Sequence, residues 1–129
     1  WVKPTPGSVI QPSYMLGTAY EGFYYARKTA AGQIAQKGRS NVFQFKHATV
    51  RGGHPTERPI ELIQEILATF GVPGSRVLVP FLGSGNTLLA AANLKMSAIG
   101  FEIAKENRAA FVVNVERQIH GAYTSYQEA

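Results

Sequence analysis

The stretch Arg76–Glu102, RVLVPFLGSGNTLLAAANLKMSAIGFE, limits what this chain can fold into more than any other. It opens with Val77-Leu78-Val79, an apolar run too short for a helix and bounded by Gly74 and Pro80, so a buried strand is expected. Phe81 and the turn Gly83-Ser84-Gly85 follow, and Thr87–Leu94 then supplies good helix formers. A second short strand is expected near Ala98–Phe101, ending on the acid Glu102. Strand, glycine turn, helix, strand and acid make a nucleotide-binding half-unit. Glycines let backbone amides at a helix start come close to a ligand, and an acid about 20 residues on can hold ribose hydroxyls. Glu102 stands nineteen positions past Gly83, which meets that spacing.

The choice of nucleotide narrows quickly. A phosphate-binding Walker loop needs Gly-Lys-Ser/Thr after its glycines, whereas Gly85 is followed by Asn86 and Thr87. A dinucleotide fingerprint needs a third small residue where Leu88 sits, which disfavours NAD. The string Pro80-Phe81-Leu82-Gly83-Ser84-Gly85, together with Ile99-Gly100-Phe101-Glu102, instead resembles the S-adenosylmethionine site of amino-group DNA methyltransferases. Members of that family methylate N6 of adenine or N4 of cytosine, as in restriction–modification.

Bulk properties agree with one globular unit over residues 1–129, since 129 residues at 45% hydrophobic content can bury one core. No apolar run approaches the roughly 18 residues of a membrane span. Cysteine is absent, which excludes disulfides, thiolate ligands and thiol nucleophiles. The histidines His47, His54 and His120 are not spaced as a metal-ligand pair, so no metal site is expected. The first residue is Trp1, with neither an initiating Met nor a signal-like segment, as in a piece of something longer. Net charge is +5, and its distribution says more than its size. No acidic residue falls between Glu21 and Glu57, while Arg27, Lys28, Lys37, Arg39, Lys46 and Arg51 all do. This basic stretch, around residues 28–53, reads either as a solvated loop or as a surface that neutralises DNA phosphates. The chain contains no Asp.

Along the chain, Trp1-Val2-Lys3-Pro4 reads as a strand end entering a Pro/Gly turn. Tyr20–Lys28 and Asn41–Lys46 read as strands, expected to form an antiparallel pair, with Thr29–Ser40 a surface loop between them. Tyr14, Tyr20, Tyr24 and Tyr25 add aromatic faces, and most of them are expected to pack on a sheet rather than stack on bases. His54-Pro55-Thr56-Glu57-Arg58-Pro59 precedes an amphipathic helix whose buried face is Ile60, Ile63, Leu67 and Phe70. Thr56 suits its N-cap and Pro59 its first turn. Gly71–Gly74 ends that helix. Ala104–Ile119 is the last helix, with Phe111, Val112, Val115 and Ile119 inward and Gly121–Ala129 as a frayed tail.

The resemblance spans nearly the whole chain in one order: WVKP, YEGFYYARK, HPTERP, the glycine motif and Glu102. That order looks like the permuted β-type class. It implies an incomplete Rossmann-like α/β fold, a mixed sheet with helices packed on it. It also implies S-adenosylmethionine as cofactor and DNA as substrate, in a cytoplasmic bacterial or phage protein. Phe81, Gly83, Ser84 and Gly85 would lie against the cofactor, Glu102 would bind its ribose, and Thr56 with Arg58 would approach its carboxylate. Arg27, Lys28, Lys37, Arg39 and Lys46 are the candidate DNA contacts.

Two departures stand out. The family's catalytic loop is Asp/Asn/Ser-Pro-Pro-aromatic, and no Pro-Pro dipeptide exists here; Gln11-Pro12-Ser13-Tyr14 is not a substitute. In the permuted order that loop precedes Trp1, so this chain alone is expected to be inactive and to complete itself with an N-terminal part of the same protein. Val79 also stands where the family carries Asp. A non-catalytic DNA-binding or structural module is the alternative these departures favour. An uncovered sheet edge is expected either way, inviting self-association.

Overall fold

The computed structural model describes residues 1–4, 13–28, 34–46 and 57–117. Five elements follow in order: α1 (Ile60–Phe70), β1 (Arg76–Val79), α2 (Asn86–Asn93), β2 (Ser97–Gly100) and α3 (Lys105–Arg117). The strands pair in parallel, with Arg76 opposite Ser97, Leu78 opposite Ile99 and Val79 opposite Gly100. Parallel neighbours need a crossover, and α2 supplies it while packing on both strands. The expected strand–turn–helix–strand unit is therefore present.

Period-two alternation splits the sheet. Val77 and Val79 are half-buried, whereas Leu78 and its register partner Ile99 keep 64% and 58% of their surface exposed. Phe101 is similarly exposed, so one face of the pair is apolar and uncovered among the described residues.

Helix α1 begins one residue after Pro59, whose φ of −58° and ψ of 139° place it just outside the helix rather than in its first turn. Thr56, the expected cap, lies outside the described residues. The most buried stripe is Leu62, Ile66 and Thr69, spaced four and three apart on one side. The expected stripe of Ile60, Ile63, Leu67 and Phe70 is only half-buried. The sequence carries apolar residues around more than one face because α1 is covered twice. Leu62 packs on Trp1 and Phe43, with Phe45 and Ile66 beside them, and α1 also packs on α2.

The N-terminal region corrects an expectation. Tyr20–Lys28 and Asn41–Lys46 do not pair with each other. Both meet Val2 through single bridges, Tyr20 antiparallel and Gln44 parallel. The Val2 amide donates to the Phe43 carbonyl at 2.7 Å, the Lys3 amide to Ala19 at 2.8 Å and the Glu21 amide to Trp1 at 2.8 Å. Trp1 decides this arrangement. Its ring is buried, and its indole N–H donates to the Phe45 carbonyl at 2.8 Å. Sheet packing of the tyrosines also fails: Tyr14, Tyr20, Tyr24 and Tyr25 are all exposed, and Tyr25 stacks on Phe70 of α1 at 4.5 Å.

The described part of the expected surface loop, Ile34–Ser40, is docked. Ala35 and Gln36 amides donate to the Thr69 carbonyl at 2.9 and 3.2 Å, and Arg39 pairs with Glu65. In α3, Phe111 and Val115 face inward as expected, whereas Val112 is 47% exposed; Ile119 and Gly121–Ala129 lie outside the described residues.

Candidate cofactor site

The turn after β1 is shaped by two glycines in the left-handed region, Gly83 at φ 58° and Gly85 at φ 83°. That region disfavours any side chain with a β-carbon. Gly85 is the N-cap of α2, and no side chain caps the helix. The first amides of α2 therefore point out unclaimed by a cap, as a ligand-binding helix start requires. Phe81, at the exit of β1, is 92% exposed, and Ser84 is half-buried.

Glu102 closes the unit from the other side. One carboxylate oxygen accepts the Gly83 amide at 2.7 Å, and the other accepts the Ala104 amide at 2.8 Å. These amides, Ala104 first and Gly83 next, hold the carboxyl below its ordinary value of 4.5, and the Asn107 side chain adds to the lowering. Both oxygens are engaged by backbone amides, and it is this carboxylate, with about four acceptor sites in all, that faces the place of a ribose.

Asn86 is a site residue that the sequence reading did not single out. It is 6% exposed. Its side-chain amide donates to Glu57 at 2.7 Å and to the Arg58 carbonyl at 2.8 Å, so both of its hydrogens are used. The Glu57–Arg58 segment is thereby fastened to the first residue of α2. An Asn at a helix start prefers to bond to backbone nearby, and that preference was the available signal.

Arg58 reaches away from the turn. Its Nε and one Nη donate to Glu21 at 3.2 and 3.1 Å, and Lys3 pairs with the other Glu21 oxygen at 2.7 Å. The hydrogen-bonded Lys3 ammonium lowers the Glu21 pKa most, partial burial opposes it, and Arg58 adds to the lowering.

The basic candidates are spread over a different surface. Lys28, Lys37 and Lys46 are exposed. Arg39 is engaged by Glu65 and lies 4.4 Å from the Phe43 ring. Arg27, Lys37 and Arg39 line a groove of about 800 Å³ with Phe23, Tyr25 and Phe70. The groove runs from Thr69 and Phe70, at the C-terminal end of α1, to Trp1 and Glu21, and Glu21 is the residue that Arg58 bonds to. None of the turn residues 81–86 lines the groove. The groups matched to an adenosine are at the turn and not in the groove. Among the described residues no cluster of three or more metal-ligating side chains occurs, and His47, His54 and His120 lie outside them.

Comparison with known proteins agrees with this geometry. The DNA methylase family of N6/N4 type matches residues 14–112. The chain belongs to this family. It is 34% identical over 102 residues to YubD of Escherichia coli (strain K12), a methylase by name, covering 76% of this chain and 44% of that protein. It is 37% identical over 71 residues to the type II methyltransferase M.HpaI of Haemophilus parainfluenzae, covering 52% of this chain and 23% of that protein. The crystal structure of M1.HpyAVI superposes with a TM-score of 0.64 at 27% identity, over 89% of this chain and 57% of that one. Its complex with SAM gives 0.62 at 21% identity, which bears on the fold alone. This DNA methylase chain thus spans about half the length, or less, of the relatives it matches. The comparisons support an amino-group DNA methyltransferase family and an α/β fold.

Proposed function

We propose that this chain is the S-adenosylmethionine-binding part of a DNA methyltransferase acting on the exocyclic amino group of adenine or cytosine. One observation carries the reading: the Glu102 carboxylate sits on the Gly83 amide at 2.7 Å, bringing acid and glycine turn to one spot. The residues fit the cofactor. Glu102 offers its carboxylate to the ribose, Phe81 offers an exposed aromatic face, and Gly83, Ser84 and Gly85 present backbone to the adenosine. Arg58 and Thr56 are the candidates for the cofactor's carboxylate, and Arg58 serves there by turning back from Glu21, its partner in this structure. When bound, the cofactor supplies an electrophilic methyl group. This chain's residues hold and orient it.

The remainder of the protein, N-terminal in a permuted β-type order, supplies the Pro-Pro-aromatic loop and covers the face of Leu78, Ile99 and Phe101. A second copy on that face is the competing arrangement, and sedimentation of the chain with and without the remainder separates the two. Lys28, Lys37 and Lys46 meet DNA phosphates, with Arg27 and Arg39 on the wall of the adjoining groove. Cytoplasmic DNA modification in a bacterium or phage is the setting; no helix of the described residues is long and apolar enough to cross a membrane.

Calorimetric titration with S-adenosylmethionine and S-adenosylhomocysteine tests the proposal. Saturable heat with both is expected. Val79 and the lack of a Pro-Pro dipeptide favour the second reading, a non-catalytic DNA-binding or structural module, and absence of heat with either ligand would count for it.

A further inference from the structure

Eight acidic residues, all glutamates, are present in this chain. Among the described residues, two have carboxylates hydrogen-bonded to the glycine turn or the first residue of α2. Glu102 accepts from Gly83, and Glu57 accepts from Asn86. Their surroundings differ. Glu102 is claimed through both oxygens by backbone amides. Glu57 accepts one bond, from a neutral amide, and among the described residues it has no cationic partner. Glu21 and Glu65, by contrast, are matched by Lys3, Arg58 and Arg39. Among the described residues, Glu57 is thus an uncompensated, half-buried carboxylate held at the start of α2, with one oxygen unclaimed.

A negative charge fixed by a buried amide rather than by a cation is suited to receive a cationic ligand group. S-adenosylmethionine has such a group in the α-ammonium of its amino-acid end. Glu102 fits the ribose end, and Val79, at the end of β1, has no side-chain acceptor to offer. We infer that Glu57 is the acceptor for the cofactor's α-ammonium, and that Asn86 is the positioning residue that holds Glu57 beside the turn. This rests on the proposal that S-adenosylmethionine binds here. It adds a specific division of labour: Glu102 for the sugar, Glu57 for the amino acid. The Arg58 carbonyl, tied to the same Asn86 amide, keeps the segment in place while the unclaimed Glu57 oxygen meets the ammonium.

The test compares three ligands on the full chain by calorimetry. S-adenosylmethionine and S-adenosylhomocysteine carry the ammonium; 5′-deoxy-5′-methylthioadenosine keeps the adenosine and sulfur but lacks the amino-acid end. Glu57→Gln keeps an oxygen for Asn86 and removes the charge. It should weaken the first two ligands by about tenfold to a hundredfold, as loss of a charge-assisted hydrogen bond does, and leave methylthioadenosine unchanged. Asn86→Ala should shift the ligands in the same selective pattern. Unchanged methylthioadenosine binding also reports that each variant is folded around the turn. Equal weakening of all three ligands, or no weakening of any, overturns the role of Glu57 while leaving the cofactor site intact. Failure of the unaltered chain to bind S-adenosylmethionine overturns the cofactor reading itself, and Glu57's part with it.

Discussion

Phe111 lies across Gly85 so closely that a β-carbon on that glycine would stand 2.0 Å from Cδ2 of the ring. The two residues belong to different elements, the N-cap of α2 and the middle of α3, so the glycine sets how near the last helix can come. Gly85 also has φ of 83°. Gly85→Ala therefore meets two penalties. The left-handed backbone costs about 1–2 kcal/mol with a β-carbon, and displacing a packed ring costs about 1–3 kcal/mol. Urea unfolding of Gly85→Ala, Phe111→Ala and the double variant separates them. Phe111→Ala should recover part of the Gly85→Ala loss, and purely additive losses would mean the ring does not rest there in solution.

Glu102 ties the turn shut only while it is ionised. Its pKa is depressed in the folded chain, chiefly by the Ala104 amide and then by that of Gly83. Its stabilising contribution is therefore complete above the ordinary value of 4.5 and is lost as pH falls through the depressed folded value. Glu102→Gln lacks this titration. The stability difference between the unaltered chain and Glu102→Gln should hold constant from neutral pH to near 4.5 and shrink below it. Glu21, also depressed, titrates in both proteins and cancels in the comparison. A difference that grows on acidification would contradict the hydrogen bonding seen at Gly83.

The turn and its acid were readable in the sequence because they are local. Glycine spacing, a short apolar strand and an acid nineteen positions on constrain one another over a single crossover. The N-terminal region was not, because its pairing is decided by Trp1. A buried indole hydrogen-bonded to Phe45 pulls both later segments onto Val2, and no period-two pattern in either segment encodes that choice. Arg39 was read as surface charge because its partner, Glu65, is twenty-six positions away on α1. Asn86 escaped for a similar reason. Its role depends on Glu57 and Arg58 arriving from another element, a long-range fact with only a weak local hint.

Leu62 and Leu78 make a paired test of which apolar surface is core. Leu62 is 1% exposed, against Trp1 and Phe43, while Leu78 is 64% exposed on the open sheet face. Leu62→Ala should destabilise by about 2–5 kcal/mol. Leu78→Ala should stay within about 0.5 kcal/mol in the dilute chain. Denaturation midpoints at two protein concentrations complete the comparison. A large, concentration-dependent loss for Leu78→Ala would show that this face is covered in solution by another copy.

The basic surface makes a prediction about salt that separates its members. A lysine that neutralises a phosphate releases a counterion, so its removal lowers the slope of log affinity against log salt by about 0.9 for duplex DNA. Lys28, Lys37 and Lys46 are exposed, and each substitution by alanine should reduce that slope. Arg39 is different because its charge is already met by Glu65 and its guanidinium lies over Phe43. Arg39→Ala should leave the slope nearly intact but lower stability, since it strips packing from Phe43 and releases the loop from α1. Filter binding across a salt series, alongside urea unfolding of the same variants, reads both effects. If Arg39→Ala lowered the slope as much as Lys37→Ala, the pairing with Glu65 would have to open on DNA. If no lysine changed it, phosphate contact would belong to another part of the protein.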